Sequence, residues 1–455
     1  MTEVDLVVIG TGPGGESLAT KAATSGLRVV AVEKHLVGGE CPYYACIPTK
    51  VMVRGSDAIA EARRLPAIGG AATVEPSWSV VARRIAEDAT DHWDDRAAVE
   101  RLEKAGATVH HGTGRLTGLR QVAVTLADGS VVEYDAAVGV VLNIGTRPSL
   151  PPAEGLADTP YWTNRDIVKV DSVPGSLVVL GGGPIGCELA QVFARFGARV
   201  TVLQYADRLL DHDEPEASQA LHDAFVHEGI RVLTGTSATR VDHTDGTFTI
   251  TTDAEETLTA EKLLVAAGRT PNLDDLGLET VGLDPKGVEV DEHLRAGDGL
   301  WLIGDAAGQG AFTHVSMYQA DVALRDILGE QGEPASYHAI PHVTFTDPEV
   351  AGVGLTEAAA REKGITVKVG TTDLAESSRG FLHGPGAAGN VKVVADADRE
   401  ILVGASVTGP AAGEIIGLLV LAVHARIPIA QLRSMIYAYP TFHRAIESAL
   451  VDLSH

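Results

Sequence analysis

One pattern is written twice in this chain, and it limits the possible folds more than any other feature. "DLVVIGTGPGGESLATKAATSGLRVVAVEK" (5–34) is an apolar strand, the turn Gly10-x-Gly12-x-x-Gly15, an alanine-rich helical run and a second strand ending at Glu33. "SLVVLGGGPIGCELAQVFARFGARVTVLQ" (176–204) repeats it with Gly181, Gly183 and Gly186 and ends at Gln204. The closing residue follows the first glycine by the same interval in both copies, 10 to 33 and 181 to 204. Such a unit suits a dinucleotide. The glycines let the backbone approach a pyrophosphate, the helix N-terminus faces its negative charge, and the closing acid accepts from a ribose hydroxyl. Two copies in register predict an α/β fold with two dinucleotide-binding domains.

The second copy departs from the pattern at its end. A carboxylate at 204 would accept from a ribose 2′-hydroxyl and repel a 2′-phosphate, whereas Gln204 does neither strongly. With Arg208 close by in sequence, the expectation tilts toward NADPH over NADH. "VLNIGTRP" (141–148) and "LLVAAGRTPN" (263–272) end apolar strands at Gly145 and Gly268, on either side of the second copy, as crossovers between domains would. "GLWLIGDAAG" (299–308) ends a strand at Gly304-Asp305, where the carboxylate can bond a polyol chain.

At 455 residues the chain has room for about three domains of ~150 residues. Its formal charge of −25 repels phosphate backbones and anionic lipid, so neither nucleic acid nor a membrane surface is an expected partner. No metal site is read. A strand-like run begins by Asp5 and leaves no room for a leader. The longest late apolar stretch, "IIGLLVLAV" (415–423), is too short to span a bilayer. A cytoplasmic protein is expected, and in that compartment paired cysteines are more often redox-active than structural.

Two of the three cysteines stand five positions apart in "GGECPYYACIPTK" (38–50). Pro42 suits the first position of a helix, which makes Cys41 cap-like and sets its sulfur near the positive helix end. On an ideal helix, Cα atoms five residues apart are separated by roughly 8.7 Å, beyond the about 6.8 Å that a disulfide tolerates. Pro48 cannot donate to the carbonyl of Tyr44 and offers a kink there. The expectation is a bridge closed across a deformed helix, strained and therefore reducible. Lys50, four residues after Cys46, would favour a thiolate there. The alternative is two buried thiols that never pair. Cys187, inside the second glycine-initiated helix, reads as a small buried residue.

With these segments together, and with "IPHVTFTDPEVAGVGLTE" (340–357) toward the C-terminus, essentially the whole chain resembles the FAD-dependent pyridine nucleotide-disulfide oxidoreductases. The likeness is to the branch holding dihydrolipoamide dehydrogenase, glutathione reductase and mercuric reductase. It implies two Rossmann-like domains and an α+β C-terminal dimerisation domain: an FAD domain at 1–148 and 270–335, an NAD(P) domain at 149–269 and an interface domain at 336–455. It also implies a homodimer in which NAD(P)H reduces FAD, the flavin reduces a Cys41–Cys46 disulfide, and the dithiol reduces a disulfide, quinone or metal-ion acceptor. By position, Cys46 would be the thiol against the flavin and Cys41 the interchange thiol facing the acceptor. Lys50 and Glu188 would be the pair beside the reactive flavin nitrogen, Glu33 the FAD ribose ligand and Asp305 the ribityl ligand. On structural grounds alone, Glu188 could instead face solvent.

The departures from that family bear on the acceptor. Relatives carry His-Pro-Thr-x-x-Glu near the C-terminus, contributed across the dimer; here "YAYPTFHRAIESAL" (437–450) puts Tyr439 at the histidine and Arg444 at the glutamate. A phenol with pKa ≈ 10 stays a neutral donor near pH 7, and loss of a positioned base typically costs ~10²–10⁴-fold. Efficient oxidation of dihydrolipoamide is therefore not expected, Tyr439 is expected to donate a proton, and dihydrolipoamide dehydrogenase stands as the alternative. His443 is read as a substitute base or an interface residue. Mercuric reductase is similar in its tyrosine but adds a vicinal cysteine pair, which "ALVDLSH" lacks, so Hg(II) delivery by that route is not expected. Tyr43 and Tyr44 either pack or shape the bridge. A flavin-bound redox sensor or complex subunit is the reading of another class, and it has no use for Cys41, Cys46, Lys50 and Glu188 together.

Overall fold

The computed structural model describes residues 1–453; Ser454 and His455, the end of the segment read above for vicinal cysteines, lie outside the described residues. The chain divides into two compact units, one made of Met1–Pro48, Arg83–Pro148 and Arg269–Tyr337, the other of Thr49–Ala82, Ser149–Gly268 and His338–His455.

The first unit is built on a parallel sheet. Strand β1 (Thr2–Ile9) lies between β2 (Val29–Glu33) and the strand Val131–Leu142; Thr108–Gly118 flanks β2 and Leu300–Leu302 flanks Val131–Leu142. Every residue of β2 is buried, the near-continuous apolar run expected of a strand covered on both faces. Helix α1 (Pro13–Thr24) turns Leu18, Ala19 and Ala22 into a core shared with Ala320 and Ala323 of the helix Thr313–Ile327, and the small side chains let the two helices approach closely. Close approach also fixes Gly15: a Cβ there would stand 2.1 Å from the carbonyl oxygen of Gly10. A short antiparallel ribbon pairs Thr146–Pro148 with Arg269–Pro271, where the chain leaves this unit and returns.

The second unit repeats the parallel arrangement around Ser176–Leu180, with Lys262–Val265 on one side and Arg199–Leu203, then Arg231–Leu233, on the other. Gly186 has the same constraint as Gly15, its Cβ falling 2.0 Å from the oxygen of Gly181. The C-terminal part is a five-stranded antiparallel sheet, ordered Pro341–Thr344, Glu349–Gly354, Ile401–Gly409, Asn390–Asp396, Val367–Asp373, and covered by the helices Ala412–His424 and Ala445–Asp452. The apolar run at 415–423 belongs to the first of these helices and packs Ile415, Ile416 and Leu419 on the sheet. Among the described residues no helix is long and apolar enough to cross a membrane. The whole is the expected α/β architecture of two Rossmann-like domains with an α+β C-terminal domain.

Buried Lys392 in this sheet meets Glu214, Glu216 and Glu357 at 2.9 to 3.0 Å, so its charge is compensated by more than one carboxylate. The glycine turns yield a direct test. Gly186→Val should lower the thermal midpoint by the equivalent of about 1–3 kcal/mol or more, as overpacking a closed contact does. At Gly183 a Cβ meets nothing within 4 Å, and Gly183→Ala should leave the midpoint near that of the parent, both read by calorimetry.

Candidate functional site

The two glycine turns are braced alike. Glu33, buried at the end of β2, accepts the Thr11 N–H at 2.8 Å and its hydroxyl at 3.0 Å on one oxygen, and the His35 N–H at 2.9 Å on the other. Gln204 accepts the Gly182 N–H at 2.9 Å, and Gly182 follows Gly181 as Thr11 follows Gly10. The glutamine thus braces its turn as a glutamate would while presenting an amide in place of a charge. Helices α1 and α4 (Pro184–Arg195) start at Gly12 and Gly183, and no side chain caps either start. Uncapped N–H groups at a helix mouth, with the hydrogen-bonding side chain of Glu33 or Gln204 beside them, have the chemistry to receive the pyrophosphate and ribose of a dinucleotide.

The arginine near the second turn is committed elsewhere. Arg208 donates to the carbonyls of Leu210 (3.2 Å), Asp213 (2.8 Å) and Asp211, and to the Ser218 hydroxyl at 2.7 Å. It braces its own loop, and the tilt toward NADPH that rested on it loses its support.

In the first unit Asp305 is half-buried behind Gly304, whose N–H is held by the Gln319 side chain at 2.7 Å. Burial pushes the Asp305 carboxyl above its usual range, opposed by the Thr146 hydroxyl, which donates to it at 3.0 Å, and by nearby Arg269. Arg269 in turn donates to Thr146 at 2.6 Å, so the ribbon that begins just after Gly145 and Gly268 is wired to the proposed ribityl ligand. Both glycines adopt positive φ, 62° and 115°, at the two ends where the strands turn into the ribbon.

The cysteine segment differs from the expected continuous helix. Helix α2 (Glu40–Tyr43) is capped by Gly39 at φ 70°, so Cys41 lies inside its first turn and is not the cap. The helix stops at Tyr44 (φ −136°), and a new one, α3 (Cys46–Arg64), begins at the second cysteine. Pro48 stands in the first turn of α3, where a proline needs no N–H partner, and makes no mid-helix kink. The strain deduced from a deformed helix therefore loses its premise, because a backbone break already separates the two cysteines. The Cys46 sulfur lies 3.4 Å from the hydroxyl of Thr313, at the start of the helix Thr313–Ile327. Tyr43 is buried and its phenol is pushed up to about 12, chiefly by burial, which makes it a packing residue. Cys187 is fully buried, donates to the Gly182 carbonyl at 3.2 Å, and has its thiol pushed far up by burial.

In the second unit Lys50 and Glu188 meet. The Lys50 ammonium donates to both Glu188 oxygens, at 2.9 and 2.8 Å, and Glu188 is only 4% exposed, so it does not face solvent. The Phe345 N–H gives Glu188 a further donor at 2.9 Å, and the Phe345 ring centroid lies 4.7 Å from the Lys50 nitrogen. The Lys50 charge is thus answered by Glu188 and is not reserved for Cys46. Phe345 and Thr313 were not singled out from the sequence. The only signal was position, inside the "VTFTDPEV" segment for one and shortly after "LIGDAAG" for the other.

Near the C-terminus Tyr439 is 69% exposed, and the Arg444 guanidinium lies 5.6 Å from the centre of its ring. Arg444 also donates to the Tyr437 carbonyl at 3.3 Å and pairs with Glu447 at 3.1 Å. His443 packs on the ring of Tyr437, with centroids 6.3 Å apart.

Residues 4–324 match the pyridine nucleotide-disulphide oxidoreductases and residues 340–450 their dimerisation domain. The chain belongs to this family. It is 34% identical over 456 residues to a mercuric reductase of Acidithiobacillus ferrooxidans, covering 98% of this chain and 82% of that one. To a dihydrolipoyl dehydrogenase of Halobacterium salinarum it is 35% identical over 472 residues, covering 100% and 97%. Among solved structures, LpdA from Mycobacterium tuberculosis superposes with a TM-score of 0.88 at 26% identity over the full length of both chains. The HOCl-induced flavoprotein disulfide reductase RclA of Escherichia coli shares the fold at a TM-score of 0.84 and 24% identity, with 99% of each chain covered. Like other pyridine nucleotide-disulphide oxidoreductases, the chain is an FAD- and NAD(P)H-dependent oxidoreductase, and it carries a dimerisation domain.

Thr313 offers a local check on Cys46. A hydroxyl donating to a thiolate stabilises the charged form. Thr313→Val should therefore raise the pH midpoint of Cys46 alkylation in the reduced protein, read by iodoacetamide labelling against pH.

Proposed function

We propose that the chain is a homodimeric disulfide oxidoreductase in which Cys41 and Cys46 form the redox disulfide, Lys50 and Glu188 serve the flavin side, and the final acceptor is a disulfide, quinone or metal ion in preference to lipoamide. The three-domain partition, FAD at 1–148 and 270–335, NAD(P) at 149–269 and interface at 336–455, belongs to the same proposal. The single observation that carries it is the ion pair of half-buried Lys50 with buried Glu188, which also accepts the Phe345 N–H: a carboxylate taken out of water in this way is costly, and here it holds one ammonium in place. FAD, when bound, supplies the two-electron step between NAD(P)H and the thiols. Gly12, Gly15 and Glu33 would hold its ADP-ribosyl portion and Asp305 its polyol, while Gly181, Gly183, Gly186 and Gln204 would hold the nicotinamide nucleotide. Cys46, with Thr313 donating to it, would take the flavin-side role, and Cys41 the exchange with the acceptor.

On the acceptor side, Tyr439 would donate a proton under the Arg444 cation. This is the reason to set the protein apart from its dihydrolipoyl dehydrogenase relatives, which its overall similarity would otherwise favour. A base and a carboxylate make a proton-abstracting pair, whereas a phenol stacked on a guanidinium does not. Turnover of dihydrolipoamide should be low in the parent, and Tyr439→His alone should restore little because Arg444 stands where the orienting carboxylate belongs. The double change Tyr439→His with Arg444→Glu should raise kcat/KM on dihydrolipoamide by ~10²-fold or more. Parent turnover as fast as that of its dihydrolipoyl dehydrogenase relatives would refute this reading of the acceptor side.

For the nucleotide, a neutral Gln204 with Arg208 engaged elsewhere fits use of both NADH and NADPH. Gln204→Glu should lower kcat/KM for NADPH by ~10-fold or more relative to NADH, since it sets a carboxylate against the 2′-phosphate. Steady-state kinetics with the two nucleotides and one acceptor check it.

A further inference from the structure

Glu188, Gln191 and Arg195 occupy one face of α4, three and four residues apart. The strap 345–347 is fastened along that face. The Phe345 N–H donates to Glu188 at 2.9 Å, and the Asp347 N–H donates to the Gln191 side-chain oxygen at 2.8 Å. The Gln191 amide donates back to the Asp347 carbonyl at 2.8 Å, and Arg195 donates to the Asp347 carboxylate at 2.7 Å, as Arg64 also does. Arg195, with only 2% of its side chain exposed, answers Asp57 at 2.9 Å and Glu228 at 2.7 Å as well. Asp57 and Arg64 follow Lys50 on α3 at seven-residue intervals, which keeps all three near one stripe of the helix.

We propose that Gln191 and Asp347 are positioning residues for the Lys50–Glu188 pair; this rests on the reading of that pair as the flavin-side group. The strap fixes two neighbours of the ammonium at once. Its Phe345 N–H selects the orientation of the Glu188 carboxylate, and the Phe345 ring lies 4.7 Å from the Lys50 nitrogen. Glutamate and lysine have several rotatable bonds each, and an ion pair alone leaves many geometries of similar energy. A peptide N–H on a strap that is itself held at nitrogen, carbonyl and side chain removes that freedom. Gln191 is suited to the task because its amide both donates and accepts, so it clamps both sides of one residue, Asp347.

The test uses the FAD-loaded protein and a double-mutant cycle with Lys50→Met. Gln191→Met is close in volume and removes both main-chain anchors. It should slow single-turnover flavin reduction at saturating NADH or NADPH about tenfold while leaving the nucleotide Kd within twofold. It should also move the equilibrium of the bound flavin with a redox dye about tenfold toward the oxidised form. In the Lys50→Met background the same substitution should change either quantity less than twofold, because the group it positions is gone. Should Gln191→Met fail to retain FAD, Asp347→Asn, which keeps the main-chain anchors and loosens the strap by removing the carboxylate held by Arg195 and Arg64, should slow flavin reduction and shift the dye equilibrium in the same directions, and by less than twofold in the Lys50→Met background. Equal effects on the two backgrounds, or no effect with Lys50 present, overturn the positioning inference alone. Lys50→Met leaving both the reduction rate and the dye equilibrium unchanged overturns the underlying reading of the pair, and the inference with it.

Discussion

A carboxylate almost wholly removed from water must be compensated or protonated, and Glu188 meets that requirement with an ammonium and a peptide N–H. Much of the second unit follows from that demand. Lys50 has to come from α3, Glu188 from α4, and Phe345 from the strap ahead of the antiparallel strand Glu349–Gly354, so three segments far apart in sequence are committed to one geometry. Removing the ammonium would leave the Glu188 carboxylate out of water with the Phe345 N–H as its remaining donor among the described residues, which is destabilising even though Lys50 itself is partly exposed. The same logic recurs at Arg195 with Asp57, Glu228 and Asp347, and at Lys392 with Glu214, Glu216 and Glu357. In a chain with 61 acidic and 36 basic side chains, carboxylates are abundant and buried cations can collect several of them.

The glycine-initiated units could be read from the sequence because their constraints are local. Gly15 and Gly186 are set by strand–helix contacts within one motif, and the interval to Glu33 or Gln204 is the length of one helix plus one strand. The cysteine segment misled for an equally local reason. Proline is tolerated throughout the first turn of a helix, and Pro42 and Pro48 each occupy a first turn, of α2 and α3 respectively. Two helices, each with a proline in its first turn, and one helix bent at Pro48 satisfy the same residue pattern, and only the backbone break at Tyr44 separates them.

What could not be read was whatever depended on a distant partner. Nothing near Glu188 in the sequence says that it is buried: with Gln191 and Arg195 it forms a polar stripe on α4 that by residue type belongs in solvent, yet all three are buried. Arg208 looked available because its partners, carbonyls of its own loop, are invisible to any residue-type pattern. Thr313 and Phe345 act through a hydroxyl and a peptide N–H, groups that nearly every protein offers in quantity, so only geometry distinguishes these two.

The two departures from the family pattern share a sign. At 204 an acid gives way to a neutral amide, and at 444 the expected glutamate gives way to an arginine, so both proposed ends of the electron path lose negative charge in a protein whose net charge is −25. Against that background field an anionic donor or acceptor approaching either end would otherwise meet repulsion, and removing the nearest charges acts where the Coulomb term is largest. The substitutions are also structurally conservative in what they retain. Gln204 keeps the oxygen that braces the turn at Gly182, and Arg444 keeps a side chain reaching residue 439, at 5.6 Å from its ring centre.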